Sequence, residues 1–599
     1  MVIKTPSLDE IEVIMNRLRE HTILLAIILF INVGCSSAMP SSLPDQQGRD
    51  ELLAETLLDS NYVPSNPVHN GYFTPRDGAG PALHDLNGEL QVDEFLMQDS
   101  IPVDTPRSES GRYFPGFKIE FFTYGEYLVP TNREIIVSTG ENSLWNLILS
   151  PGKVWSESGD EGYSRAAFPF VFFNRNSNDA HNGLATFLFD DENISQFYFQ
   201  ITQETAAWNR NDYWGQSTLT YTPGPITNEK ALRDQFNDEI AAQIPVVPWS
   251  ELTDQIDSKL LDSYNGDLTP EDISSTGLIM NGKIYLQPNV TRYGEFPYSQ
   301  FMRHGVFSVT KSMGAAIALL RLAEKYGDEI FDYKISDYVD VTANHDGWDN
   351  VTFSHALSMA TGVGDMEAED RSSRNVTADE DQDKFLDWMY ATDSAAEKLA
   401  GAFEYGNYDW GPGEVVRYNS ITTFVLGVAM DNFLKSKEGP DADIWQMVME
   451  EVYKPIDIYH APIVRTHEPD GSLGQPIFGY GLFPTIDDTA KIAALLHNGG
   501  QHNGEQLLSP TKLAEALYKT EEQGLSVYNS NQFGESRYLL SIWSIAHCTN
   551  DETCFQIPYM AGLGGNFVIL LPNGVTVFRY ADAHNYDLDS LVAVGMAIP

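Results

Sequence analysis

Residues 307–324 read FSVTKSMGAAIALLRLAE, and the fold is decided by what the first turn of this stretch is for. Met313, Ile317, Leu320 and Ala323 recur at helical spacing, which predicts a helix with an apolar face toward a core. Ser308 stands at the start of that helix and Lys311 one turn on, on the same side. One reading is a serine cap followed by a solvated lysine, the commoner fate of an isolated S-x-x-K. The other is a nucleophile beside its base. The free amides and positive dipole end of a helix favour negative charge at the serine oxygen. A lysine held in a poorly solvated cleft loses proton affinity and can accept the hydroxyl proton.

The segments that follow weigh on the choice. VTFSHALSMATGVGD (351–365) reads as a strand end, a helix and a glycine turn. PGEVVRYNSITTFVLG (412–427) reads as a Pro-Gly turn and a strand, with Tyr418 at a strand-to-helix junction. MAGLGGNFVILLP (560–572) is a glycine-rich turn leading into a strand. In this order the motifs resemble the serine β-lactamase and penicillin-binding-protein superfamily. The resemblance is strongest to the class C β-lactamase-like branch of esterases, D-amino-acid peptidases and 6-aminohexanoate-dimer hydrolases. It covers about 230–599, and residues before 230 have no part in it.

The resemblance implies that Ser308 is the nucleophile, Lys311 its base partner and Tyr418 a second proton carrier. It further implies an oxyanion hole from the backbone N–H groups of Ser308 and Leu563, with Gly562 and Gly564 in the adjoining turn facing substrate. Two departures bear on substrate. The second motif often reads Tyr-x-Asn in the family, whereas here it is Tyr418-Asn419-Ser420, so a hydroxyl with fewer donors stands where the amide would be. The third commonly has Lys or His, any residue, then Gly. Met560-Ala561-Gly562 takes that place, and a methionine cannot pair with a substrate carboxylate. Ester or linear amide hydrolysis is therefore expected over β-lactam turnover. Tyr408 and Trp410, in EYGNYDWGPG (404–413), line a substrate pocket on one reading and pack locally on the other. The acidic stretch 365–385 reads as a solvated loop, or more sharply as a lid.

The bulk numbers narrow the class. The 599 residues exceed one ordinary domain, and 42% hydrophobic with 12% aromatic residues can fill large cores. A formal net charge of −48 argues against nucleic acid or anionic lipid as a partner. The histidines lack the H-x-x-x-H spacing of a helical metal site, and neither a G-x-S-x-G elbow nor a phosphate-cradling loop is present. DSYNGDLTPED (262–272) is close to a calcium loop, but its glycine falls one place early. No cofactor and no metal are called for.

At the N-terminus, Arg17, Arg19 and His21 precede the apolar run TILLAIILFINVG (22–34), the length of a signal-peptide core and short for a bilayer span. INVGCSS resembles a bacterial lipobox with Cys35 as the lipidated residue, although Asn32 replaces the usual leucine. A plain secretory signal or short anchor is the alternative. Either sends the chain out of the cytoplasm, to the cell envelope, with membrane contact only through the N-terminus. Cys548 and Cys554, in CTNDETC, are placed to close a hairpin disulfide there; zinc is the weaker reading for want of a second pair.

The expected architecture is α+β. Residues 1–35 form the signal segment, and 36–110 form a Pro-, Gly- and Ser-rich tether and irregular lead-in. Residues 111–225, with runs such as AAFPFVFF and SQFYFQI, form an all-β domain of sandwich type, with Trp208 and Trp214 read as core and turn residues ahead of the alternative that they bind a ligand. Residues 226–599 form a β-lactamase-like domain, an antiparallel sheet flanked by helices plus an all-helical part. Asn281-Gly282 and Asn573-Gly574 are expected to turn hairpins within it. The expected activity is an exported serine hydrolase acting on a small ester or amide. A penicillin-binding D,D-peptidase or β-lactamase is the enzymatic alternative, and an inactive envelope-binding protein of the same fold is the alternative from another class.

Overall fold

Short aromatic and β-branched runs from 87 to 223 pair into one antiparallel sheet. The computed structural model describes residues 52–99, 109–138, 140–207, 210, 212–266, 268–364, 382–548 and 553–598. The signal segment with Cys35, Trp208 and most of the acidic stretch 365–385 lie outside the described residues.

In chain order the strands are β1 (Asn87–Val92), β2 (Gln98–Asp99), β3 (Phe117–Tyr124), β4 (Tyr127–Pro130), β5 (Trp145–Leu149) and β6 (Gly152–Trp155). They continue as β7 (Ser164–Asn174), β8 (Ala180–Phe189), β9 (Phe197–Thr205), β10 (Tyr213–Ser217) and β11 (Leu219–Pro223). The hydrogen-bonded order is β11-β1-β3-β4-β6-β7-β8-β9-β10-β2, with β5 also on β7. Strands β3 and β9 stand five places apart, roughly 24 Å in a flat sheet. Their Phe117 and Phe197 rings nevertheless lie 6.1 Å apart, so the sheet curls back on itself around a phenylalanine core. Each ring kept from water there contributes roughly 1.5–3 kcal/mol.

Alternation along β8 divides its side chains between two cores. Ala185, Phe187 and Phe189 face the phenylalanine core, and Leu184 and Leu188 face Leu57, Phe73 and Tyr298. This corrects the reading of 36–110 as tether and lead-in over its described part. Leu52, Leu57 and Phe73 are buried, and β1 pairs with β11 and β3. The six-residue NGELQV finds its neighbours far along the chain, where no local pattern announces them. Trp214 is buried, its indole donating to the Pro64 carbonyl at 3.0 Å, as expected of a core residue.

A second sheet begins after the helix α1 (Glu229–Ala241), which lays Phe236 against Phe122 and Val129 of the first. Its strands are β12 (Val246–Pro248), β13 (Ile273–Met280), β14 (Lys283–Leu286), β15 (Leu525–Asn531), β16 (Gly534–Leu539), β17 (Ile542–Cys548), β18 (Cys554–Gly562), β19 (Asn566–Leu570) and β20 (Thr576–Ala581). The order is β12-β14-β13-β20-β19-β18-β17-β16-β15, antiparallel except where β12 joins β14. Asn281 and Gly282 turn the β13–β14 hairpin with φ of 52° and 69°, the left-handed pair such a turn requires. One face of the sheet, with Ile279, Val568 and Phe578, packs on a large helical core. The other, with Leu278, Phe567 and Val577, packs on Leu261, Leu591 and Val594. The first sheet also reaches the helical core, because Val171, Phe173 and Ala180 belong to it.

The predicted nucleophile helix forms with a difference. After a turn at Ser308, residues Lys311–Ala316 wind as a π-helix before the α-helix α2 (Ile317–Tyr326). Its loosened carbonyl at Met313 accepts from the Tyr453 hydroxyl at 2.6 Å. Such π turns concentrate at functional sites. Met313, Ile317, Leu320 and Ala323 are buried, as their spacing predicts.

Candidate active site

Ser308 sits at the mouth of the π turn. The residue before it, Phe307, has φ of +43°, a left-handed conformation that costs a non-glycine residue on the order of 1–3 kcal/mol. Its N–H donates to Asn178 Oδ1 at 2.6 Å, across from the first sheet. Lys311 is 1% exposed, so its ammonium end stays inside. From there Nζ donates to Ser308 Oγ at 2.8 Å, to Ser420 Oγ at 2.9 Å and to the Gly479 carbonyl at 2.7 Å.

Two of these partners come from distant elements. Helix α3 (Ser420–Glu438) starts at Ser420, and the Asn419 side chain caps it by accepting from Ile421 N–H at 3.0 Å. The amide of the second motif thus closes the helix, and the neighbouring hydroxyl meets the lysine. Gly479 is confined by packing, since a Cβ there would lie 2.8 Å from the Ser420 carbonyl oxygen. Phe478, the residue before it, lies between Gly314 and Gly427, the two places where a side chain would collide with its ring.

Tyr418 stands just ahead of α3, in extended chain outside any strand, which corrects the strand read into 412–418. The Arg417 N–H instead donates to the Met359 carbonyl at 2.7 Å. The Tyr418 ring centre lies 4.9 Å from Lys311 Nζ. Trp543 stacks on that ring at 5.3 Å and Tyr538 meets it edge-on at 6.0 Å. Three residues separated by up to 110 positions therefore converge, Ser308 partly exposed and the other two buried. Trp543 and Tyr538 were not expected at the site; strands β16 and β17 bring them there by pairing their own positions.

The third motif closes the opposite wall. Gly562 ends β18, and a Cβ there would fall 2.1 Å from the Val306 carbonyl oxygen, so only glycine allows this approach to the turn that carries Ser308. Asn566 fastens the hairpin, its Nδ2 donating to the Leu563 carbonyl at 2.8 Å and to the Gly305 carbonyl at 3.2 Å. Among the described residues neither the Ser308 N–H nor the Leu563 N–H is given to a protein acceptor.

The remaining candidates fall elsewhere. Met560 is fully buried in the helical core and presents no charge. Gly564, expected toward substrate, faces the first sheet, where a Cβ would lie 2.6 Å from that of Ala206. Tyr408 and Trp410 stack on one another at 4.4 Å in a small buried cluster with Val415, beneath the Arg417 guanidinium. Cys548 and Cys554 are bonded across β17 and β18. Among the described residues no group of three or more metal-ligating side chains assembles, and no helix is long and apolar enough to cross a membrane.

Behind the site, the β7–β8 loop that carries Asn178 is held by a buried chain of charges. His181 lies between Asp179 and Glu204, and Glu204 continues to Arg292. Burial opposes a charged His181, but hydrogen bonds and charge from Asp179 and Glu204 overcome it and raise the imidazole to about 9.

The family model described as Beta-lactamase matches residues 285–521, a span holding Ser308, Lys311, Tyr418, Ser420 and Gly479. No curated protein matches the sequence. Solved structures resemble the chain at low identity. A penicillin-binding protein homologue from Pyrococcus abyssi, octameric, is 16% identical, with a TM-score of 0.38 over 54% of this chain and 73% of its own. A penicillin-binding protein homologue from Caulobacter crescentus is 14% identical, with a TM-score of 0.39 over 61% of this chain and 97% of its own. A D-stereospecific amidohydrolase from Streptomyces is 14% identical, with a TM-score of 0.37 over 54% and 94%. Over residues 285–521, the segment that carries Ser308, Lys311 and Tyr418, the chain is similar to the Beta-lactamase family.

Proposed function

We propose that the chain is a serine hydrolase that cleaves a carboxylic ester or linear amide through an acyl-enzyme on Ser308. The observation that carries this reading is the 2.8 Å contact between Lys311 Nζ and Ser308 Oγ. In the reactive form Lys311 is a neutral amine and takes the Ser308 proton as Oγ attacks the carbonyl carbon. The carbonyl oxygen becomes an oxyanion and lies against the N–H groups of Ser308 and Leu563. As the carbon–oxygen or carbon–nitrogen bond breaks, the leaving group receives a proton from the Tyr418 and Lys311 pair. Water then attacks the ester, its proton passing to the same pair, and Ser308 is restored.

Met560 supports the choice of substrate class. β-Lactams and D-Ala-D-Ala peptides offer a carboxylate, and the third motif has no cation to receive it. The Cys548–Cys554 bond supports an oxidising compartment, consistent with export by the N-terminal segment and a lipid anchor at Cys35. Purified protein should hydrolyse p-nitrophenyl butyrate with a kcat/KM at least about 100-fold above that for nitrocefin, the difference of a lost charged contact worth roughly 3 kcal/mol. Faster nitrocefin turnover, or stable labelling by a fluorescent penicillin, would move the assignment to a β-lactamase or D,D-peptidase.

A further inference from the structure

The first sheet lies outside the matched family span, yet one of its side chains touches the nucleophile turn. Asn178, in the loop between β7 and β8, is fully buried. Its Oδ1 accepts from Phe307 N–H at 2.6 Å and from Gly481 N–H at 3.0 Å. Its Nδ2 donates to the Leu482 carbonyl at 3.1 Å. One amide therefore spans the two backbone segments that make the site. The first carries Ser308 directly after Phe307. The second carries Gly479, whose carbonyl holds Lys311 Nζ, two residues before Gly481.

The surrounding contacts tighten the same junction. The Leu482 N–H donates to Thr310 Oγ1 at 3.1 Å, and the Tyr480 hydroxyl donates to the Asn176 carbonyl at 3.2 Å. Gly305 presses on the Asn178 backbone so closely that a Cβ there would lie 1.7 Å from its carbonyl oxygen. Phe307 and Gly481 both hold positive φ, at 43° and 116°. Asn178 thus bonds the backbone N–H of a non-glycine residue held at positive φ and that of a glycine in the same region.

From this arrangement we infer that Asn178 is a positioning residue for Ser308 and Lys311, and that the first sheet completes the hydrolase site. Asn178 touches no reacting atom. It fixes the angle at which Ser308 Oγ leaves the turn and the distance between that oxygen and the lysine held by Gly479. A displacement of about 1 Å in such a geometry costs on the order of 100-fold in rate. The inference rests on Ser308 being the nucleophile.

The test uses the full chain with Asn178→Leu and Asn178→Asp. A fluorophosphonate first counts reactive Ser308 sites, and p-nitrophenyl butyrate then gives kcat per counted site. Asn178→Leu, close in shape and without hydrogen bonds, should lower kcat per site about 10- to 100-fold with KM changed less than about threefold. Asn178→Asp keeps both acceptor contacts, loses the bond to Leu482 and should fall between. A purely structural role would lower the number of labelled sites and leave kcat per site alone. Per-site kcat within about twofold of wild type in Asn178→Leu overturns the inference. Where that variant yields no labelled sites, the same criterion applied to Asn178→Asp decides. Wild type that hydrolyses no ester and takes no label at Ser308 would overturn the nucleophile reading, and the positioning role with it.

Discussion

Ser308→Ala is expected to lower kcat on p-nitrophenyl butyrate by at least about 10⁴-fold while the protein stays folded. Removing Oγ deletes the atom that forms the acyl bond, and no neighbour replaces it. Lys311 is too deeply set to attack a bound carbonyl, and Ser420 lies behind the lysine, buried. The structural cost is small. Ser308 is partly exposed, the Lys311 ammonium also donates to Ser420 Oγ and the Gly479 carbonyl, and alanine suits the start of a helix that continues with Val309 and Thr310. The thermal midpoint should therefore move by only a few degrees, as for a change of about 1 kcal/mol. A remnant of catalysis from the two free amides would survive. Steady-state rates with a melting curve test this, and a variant within tenfold of wild type would exclude Ser308 as nucleophile.

Lys311→Arg should lower kcat by about 10³-fold, the usual scale for losing a positioned base. The guanidinium stays protonated at any working pH and cannot accept the serine proton. It is also planar and larger, and the space between Ser308 Oγ, Ser420 Oγ, the Gly479 carbonyl and the Tyr418 ring was built for a single nitrogen. Lys311→Met serves as a volume-matched control and should lose a similar factor, because it keeps the packing and removes the nitrogen. In both variants KM should change little, since the fault lies in acylation. Rapid-mixing measurement of the first turnover separates that step. Near-normal acylation in Lys311→Arg would leave Tyr418 as the base by itself.

These expectations draw on features legible in the sequence to different degrees. The Ser308–Lys311 pair was readable because both ends sit within one helical turn. The two hairpins at Asn281-Gly282 and Asn573-Gly574 were readable for the same reason, since the residues that turn the chain lie in the turn. The convergence of Tyr418 followed from the order of the motifs. What was hidden is what the chain brings from afar. Asn178 is 129 residues from Phe307, and nothing in FNRNSNDAHNG marks one asparagine among several as the one that reaches the Phe307 N–H. Gly479 gains its role only when Ser420 closes over it, and β1 becomes a strand only when β3 and β11 flank it. For Tyr408 and Trp410 the sequence left pocket lining and local packing open, and the two rings stack on one another under Arg417.

Function in this account follows from burial. A lysine with almost no contact with water is fixed by three oxygens, and one of them is the only one of the three that reaches the surface. The first sheet meets the Ser308 turn through Asn178, and the third motif sets Gly562 against Val306 and carries no cation.

The most direct measurement is therefore chemical. The intact chain is treated with an alkyl fluorophosphonate, digested and mapped by mass spectrometry, with Lys311→Arg treated alongside. A single adduct on Ser308 that forms rapidly in wild type and at least about 100-fold more slowly in the variant is the predicted result. An adduct on another serine with Ser308 unmodified, or equal labelling rates in the two proteins, would contradict it.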